Sequence, residues 1–452
     1  MSTAELLAGW GRTAPSAATV VAPERPGELE AVMAAAGERG LIGRGLGRSY
    51  GDAAQNAGGS VALMTGLDGI VDVDLGSATV TVEAGASLDR LMRVLVPLGL
   101  WPAVTPGTRY VTIGGAIASD VHGKGHHLDG TFGSHVRSME VVTPGKGPMT
   151  LTPHATPEEF WATAGGMGLT GLIRRATIEM IRIDTAMISV DSVRTADLEA
   201  TMALMVERDR HHRYSVAWVD CLARGASLGR SIAEFGDHAA RDDLPPRLRT
   251  RPLEFRPSDS LRAPPWAPPG LLNRWTVAAF NELWYRKAPP RTKGHLVGAA
   301  TFFHPLDRVA EWNRMYGRRG FVQYQFVVPD GQEDTVRRVV ESLARRRCAS
   351  FLAVLKRFGE ANPAPLSFPR PGWTLALDLP AGIEGLGSLL DGFDEKVAEA
   401  GGRVYLAKDS RLRPELLEVM YPGLGRWREV RDRLDPERLM QSDLSRRLGG
   451  LA

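Results

Sequence analysis

Cysteine is almost absent from this chain of 452 residues. Its two cysteines, Cys221 and Cys348, lie far apart with no CxxC spacing, so a disulfide framework and a cysteine-based zinc site are both excluded. Each reads as a small buried hydrophobe. Long apolar runs are also missing, and none approaches the ~18 residues that a membrane-crossing helix needs. The opening MSTAELLAGWGRTAPS has no basic stretch followed by an apolar one and does not read as a cleaved signal. The expected location is therefore the cytoplasm or the periphery of a membrane, with the periplasmic face left open. Excess charge of one sign is lacking too: 55 Lys and Arg against 52 Asp and Glu give a net +3, so no nucleic-acid partner is expected. No internal repeat is visible. A length of 452 residues exceeds one ordinary core and predicts two unequal domains.

Glycine, by contrast, is plentiful at 50 residues, and it clusters. Around the clusters the pattern alternates between strands and helices up to about residue 182. Residues 26–39 read as a helix with Pro26 in its first turn. Residues 78–85 alternate as a strand, and 88–98 form a helix with Leu88, Leu91, Met92 and Leu95 on one face. Residues 110–120 read as a strand broken by a glycine pair, and 139–143 and 172–180 as further strands. Beyond about 185 come strands at 321–329, 350–358 and 373–379 and helices at 333–346 and 385–399. Prolines in 256–275 predict a long exposed loop there.

The first cluster runs Gly43-Arg44-Gly45-Leu46-Gly47-Arg48-Ser49-Tyr50-Gly51-Asp52. Alternate glycines leave N–H groups uncovered, and such a loop either wraps a pyrophosphate or simply turns tightly between strands. Arg44 and Arg48 add charge and Tyr50 an aromatic surface. The single GxGxxG match, 166–171, has a helical stretch before it and a strand-like one after it. That is the reverse of a dinucleotide fingerprint, so a nicotinamide-binding Rossmann unit is rejected. The second cluster joins Gly107, Thr108, Thr112, Gly114, Gly115 and Ser119 to His122-Gly123-Lys124-Gly125-His126-His127. Small residues over this length predict a flat ligand lying against the main chain. A zinc site built from His122, His126, His127 and Asp129 is the weaker reading, because the glycines prevent a helix that would align the two histidines.

These blocks, with FWATAGGMGLTGLIRRATIEM (160–180), YQFVVP (324–329), APLSFPRPGW (364–373) and YLAKDSR (405–411), resemble FAD-dependent oxidases of the vanillyl-alcohol oxidase type. The resemblance is closest to members that act on a lipid-linked sugar, and it covers nearly the whole chain. It implies an α+β, two-domain FAD-binding fold. The FAD domain is built from residues 1–184 and a returning segment, 403–452, and an inserted substrate domain with an antiparallel sheet spans 185–402. It also implies that the two glycine clusters, with Ile178 and Tyr405, line the FAD. Many relatives bind the flavin covalently through a histidine in the first cluster. Here that position is Arg48 and no histidine precedes residue 122, so non-covalent FAD is expected.

The activity the resemblance implies is oxidation of a secondary alcohol, the 2′-hydroxyl of a polyprenyl-phosphoryl ribose. That would be the first half of an epimerisation feeding cell-wall arabinan in actinobacteria. A separate NADH-dependent keto-sugar reductase is then an expected partner. Another sugar or alditol oxidase of the same fold and a non-catalytic flavin protein remain the alternatives. Lys408 is the expected catalytic group, as an alkoxide-stabilising cation or as a neutral base, with His122 and Tyr50 beside it. Lys356, Gln325, Lys124, Thr374 and Ala376 are the expected substrate contacts. At Ala376 the family often has cysteine, and at Met167 it often has asparagine. Leu261, Trp266, Leu271, Leu272 and Trp275, set among prolines and arginines, read as a lid meeting a lipid chain or a membrane surface.

Overall fold

A computed structural model describes residues 3–257, 261–264 and 272–452. Three sheets organise them. The first is four-stranded: Thr3–Leu7 pairs antiparallel with Ser16–Val21, which runs parallel to Ser60–Leu63, which runs parallel to Leu41–Arg44. The last of these leads directly into the first glycine cluster. A second, antiparallel sheet centres on Leu172–Arg182, flanked by Thr79–Glu83 and Val136–Thr143. The third is antiparallel and eight-stranded, running from Arg291–Gly298 at one edge to Arg403–Val404 at the other. It therefore keeps two residues beyond the expected boundary at 402.

Period-two alternation gives the large sheet two different faces. Leu355, Leu375, Leu377, Phe235 and Phe326 are fully buried and share a core with helices Leu198–Arg208, Glu333–Arg346 and Leu386–Glu399. The other face carries Val354, Lys356, Ala376, Gln325 and Gln323, and these line a cavity. The register makes them neighbours: Ala376 stands between Gln325 and Val354, and Asp378 opposite Gln323.

Two expectations need correction. Residues 110–120 contain a helix, Ile113–Ala118, not a broken strand. Thr112 caps it by accepting a hydrogen bond from the Gly115 N–H at 3.2 Å, and this cap outweighs the strand preference of the β-branched residues before it. The proline-rich stretch is not wholly loop either. Leu261–Arg262 pairs with Val309–Ala310, and the Asn273 side chain caps helix Arg274–Lys287, which contains Trp275. Trp266 and Leu271 lie outside the described residues. The helix expected at 26–39 is shorter, a 3₁₀ turn at Pro26–Glu28 followed by Leu29–Ala34.

The end of the chain returns to its beginning. Leu41 N–H donates to Leu439 O at 2.8 Å, and Gln441 N–H donates to Leu41 O at 2.9 Å. From helix Asp443–Leu448, Arg447 grips both carboxylate oxygens of Asp52 at 2.9 and 3.0 Å and reaches Asp409 at 2.8 Å. One guanidinium thus ties the first glycine cluster, the Lys408 turn and the last helix together. Arg447→Ala leaves two carboxylates facing each other without their cation. It should cost roughly 2–4 kcal/mol, measured as a lower midpoint in urea unfolding with an unchanged slope; an unchanged midpoint would refute this role.

Candidate functional site

All three sheets contribute to one cavity of about 1040 Å³. That lies at the upper end of the ~300–1,000 Å³ usual for small-molecule sites and leaves room for a cofactor together with a substrate. One wall is main chain and small side chains: Gly43, Gly45 to Tyr50, Gly107, Thr108, Thr112, Gly114, Gly115, Ser119 and Gly123. A Cβ on Gly45 would sit 2.1 Å from Thr112 Oγ1, and one on Gly123 would sit 2.5 Å from Thr105 O. Gly47 has φ +64°, and a Cβ there would meet the Arg44 guanidinium at 2.5 Å. Arg48 stacks on Trp10, its guanidinium carbon 3.7 Å from the ring centroid, and its buried Nε has no protein partner. Backbone edges without side chains, beside an incompletely bonded guanidinium, fit the flat rings and pyrophosphate of FAD. Met167, where the family often has asparagine, also lines the cavity and adopts φ +57°, a left-handed conformation that asparagine tolerates better than methionine.

The opposite wall is the face of the large sheet, which contributes Lys356, and two turns bring Lys124 and Lys408 to the same cavity. Lys124, Lys356 and Lys408 face the cavity, surrounded on their other sides by protein. Burial lowers Lys356 to about 7, aided by the nearby Lys124. Burial lowers Lys124 to about 8, against the opposing pull of Glu234, and its Nζ donates to Phe302 O at 2.7 Å. Lys408 packs its Nζ 3.7 Å from the Tyr50 ring centroid. Burial pulls it down to about 7, Asp378 opposes that and Lys356 adds to it. Asp378 is itself fully buried. It moves the opposite way, up to about 7, because burial outweighs the help it receives from Gln323, Lys408 and Tyr316. The two groups thus act on each other, the Asp378 carboxylate raising Lys408 and the Lys408 ammonium lowering Asp378.

His122 is held beside them. The Gln325 Nε2–H donates to His122 Nε2 at 2.9 Å and is also shared with Thr374 Oγ1 at 3.2 Å. Burial keeps the imidazole well below its ordinary value, with Lys356, His126 and Lys408 adding to the effect. The ring is therefore neutral, and its buried Nδ1 has no protein partner. Tyr405, 5.2 Å from that ring, donates its hydroxyl to Ser119 O at 2.7 Å.

The structure thus gathers Lys408, His122, Tyr50, Lys356, Gln325, Lys124, Ala376, Tyr405 and the glycine residues around one cavity. Three sequence candidates do not reach it. Arg44 turns away and donates to the carbonyls of Ala54 and Ala8 at 2.9 and 2.7 Å, so it braces the loop instead of supplying charge to a phosphate. Ile178 is buried in the apolar core of the second sheet. Thr374 sits behind Gln325, fully buried. The residue that sequence reasoning missed is Asp378. Its signal was an aspartate inside the apolar strand GWTLALDLP, two positions from Ala376 and so on the same face. Asp409 and Arg411 serve as structural partners: Arg411 pairs with Asp394 and Asp391.

Comparison with known proteins agrees with this geometry. The FAD binding domain family matches residues 17–151, and the D-arabinono-1,4-lactone oxidase family matches residues 387–448. A decaprenylphosphoryl-β-D-ribose oxidase of Mycolicibacterium smegmatis is 45% identical, over 99% of this chain and 98% of that protein. An uncharacterised protein of Streptomyces coelicolor is 43% identical, over 80% of this chain and all of its own length. An L-gulono-1,4-lactone dehydrogenase of Mycobacterium tuberculosis is 25% identical, over 97% of this chain and 96% of its own.

The cavity contains no thiol, since Cys221 and Cys348 are buried elsewhere and burial raises both, Cys348 to about 11. The native protein should therefore resist iodoacetamide. Ala376→Cys should be alkylated among the three lysines and lose activity, with substrate protecting it. Inactivation of the native protein at the same rate would place the sensitive group elsewhere.

Proposed function

The chain belongs to the family of the decaprenylphosphoryl-β-D-ribose oxidases and is an FAD-dependent oxidoreductase; on that premise we propose that it oxidises the 2′-hydroxyl of a polyprenyl-phosphoryl ribose to the ketone. The observation that carries this reading is the composition of the cavity's second wall. Three half-buried lysines, Lys356 on the sheet and Lys124 and Lys408 from turns beside it, stand next to the apolar side chains Val190, Val216, Trp218 and Ile232, among which Glu234 is the one acid. A phosphate needs the first and a prenyl chain the second, whereas a free alditol or lactone needs neither.

FAD, when bound, supplies the acceptor for the hydride of an alcohol oxidation. Arg48 and the N–H groups of the glycine clusters would hold it, without a covalent bond. The protein's own task is to hold the sugar and to take one proton. Lys356 and Lys124 bind the phosphate, which offsets the cost of placing two ammonium groups in one cavity. Gln325 and the His122 Nδ1 position the ribose hydroxyls. Lys408, poised near neutrality, accepts the hydroxyl proton as its neutral amine. Asp378 keeps that amine from falling further and receives no proton from substrate directly. The keto sugar then passes to a separate NADH-dependent reductase, whose product supplies arabinose for cell-wall arabinan. On this reading the enzyme meets its lipid substrate from the membrane periphery; among the described residues no helix is long and apolar enough to cross a membrane.

Substrate choice tests the assignment: kcat/KM for a prenyl-phosphoryl ribose should exceed that for free alditols or aldonolactones by roughly a hundredfold or more. The reverse order would make the chain a sugar or lactone oxidase of the same fold. The proton role has its own signature. A neutral base is absent below its pKa, so at saturating substrate, where the bound phosphate keeps Lys356 and Lys124 charged, kcat should rise with pH through about 7, and Lys408→Met should lose about 10²–10⁴-fold at the plateau. In Asp378→Asn the rise should move to lower pH, because the carboxylate that raised the lysine is gone. A rate that falls through the same range would make Lys408 a cation in the reaction. Finally, denaturation in guanidinium should release all of the flavin into a filtrate, and flavin retained on the chain would contradict non-covalent binding.

A further inference from the structure

Helix Arg274–Lys287 has fourteen residues but buries only Val277 and Asn281. At 100° per residue those two share one side, and the remaining apolar residues continue around the helix. Trp284 and Phe280 line the cavity, their rings stacked at 5.9 Å. Leu283 and Trp275 point outward, 68% and 66% exposed. Five of the fourteen exposed large apolar side chains among the described residues fall within 261–287: Leu261, Trp275, Phe280, Leu283 and Trp284. All of the exposed aromatics are among these five. Solvated surfaces scatter such residues, and concentration in one patch marks a contact.

The charge around the patch identifies the contact. Residues 261–293 hold six cations, Arg262, Arg274, Arg286, Lys287, Arg291 and Lys293, against the single acid Glu282. Glu282 pairs with Arg230 and Arg286, and Glu311 with Arg262, which leaves Arg274, Lys287, Arg291 and Lys293 as the net positive charge of the patch. Tryptophan and leucine flanked by long basic side chains is the composition of a helix lying in the headgroup layer of an anionic bilayer. The patch also runs without a break into the cavity through Phe280 and Trp284.

We propose that helix Arg274–Lys287 docks the enzyme on an anionic phospholipid bilayer, with the cavity mouth at the membrane surface. The inference rests on the lipid-linked substrate proposed above: the chain of that substrate leaves the bilayer past Phe280 and Trp284 while the sugar reaches Lys408. Exposed Leu283 and Trp275 anchor the helix, and exposed Lys287, Arg291 and Lys293 at its C-terminal end select anionic lipid.

The test is co-sedimentation of the flavin-loaded full chain with phosphatidylglycerol vesicles and with phosphatidylcholine vesicles. The native protein should bind the first at least roughly tenfold better than the second, and Leu283→Glu with Trp275→Glu should lose that binding by a similar factor. In the same samples, without vesicles, the double variant should bleach its flavin with a soluble short-chain prenyl-phosphoryl ribose as the native protein does. Lys287→Glu with Lys293→Glu should abolish the preference for anionic lipid while the flavin content stays unchanged. A native protein left in the supernatant, or a Leu283/Trp275 variant that sediments like the native one, overturns the docking surface. Vesicle binding without bleaching by any prenyl-phosphoryl ribose would instead overturn the substrate assignment and leave the surface standing.

Discussion

The contact on which the site depends is made by backbone alone. Gly51 lies so close to the Lys408 turn that a Cβ on it would stand 1.8 Å from Asp409 O. Next to it, Tyr50 N–H donates to Ala407 O at 3.0 Å. A loop from the start of the chain and a turn from near its end are therefore pressed together with no side chain between them. The ring of Tyr50 and the ammonium of Lys408 meet as a result. Arg447 holds the arrangement from behind, through Asp52 and Asp409. Lys408 is thus positioned by long-range contacts that also close the fold, and the geometry of the site and the stability of the fold are coupled at that point.

A second constraint follows from placing three lysines in one enclosed space. Each ammonium loses hydration and repels the others, so all three are pulled below their ordinary value. The protein offsets this unevenly. Lys408 has Asp378, Lys124 has Glu234 and the ring of Phe302 at 3.9 Å, and Lys356 has the ring of Phe358 at 5.9 Å while Lys124 repels it. The least compensated lysine is the one best suited to welcome an anion. A phosphate would complete an electrostatic arrangement that is unfinished in the protein alone, and on the proposed reading the cavity selects by charge as well as by shape.

Much of this was legible in the sequence because the local signals were strong. Alternating apolar residues fixed the strands at 321–329 and 373–379, and the glycine clusters fixed the walls of the cavity. What failed did so for identifiable reasons. Residues 110–120 hide a capped helix, since one side-chain hydrogen bond from Thr112 decides the matter and hydropathy does not record it. Arg44 and Arg48 look equivalent in GRGLGRSYG, yet only Arg48 reaches the cavity, because the carbonyls of Ala8 and Ala54 claim Arg44. Asp378 was visible as an acid in an apolar strand, but its partner Lys408 lies thirty residues away in sequence, and nothing local links them. Arg274 and Trp275, the first turn of helix Arg274–Lys287, were read as the end of a loop because prolines dominate the segment before them.

The central claim is that flavin, Lys408 and the cationic, apolar wall form one site for a lipid-linked ribose. The most direct measurement is an anaerobic titration of the purified, flavin-loaded protein with prenyl-phosphoryl ribose, followed by absorbance near the oxidised flavin maximum. The account predicts stoichiometric bleaching, with one keto sugar formed per flavin reduced. A flavin that stays oxidised with this substrate while an alditol or a lactone bleaches it would contradict the account.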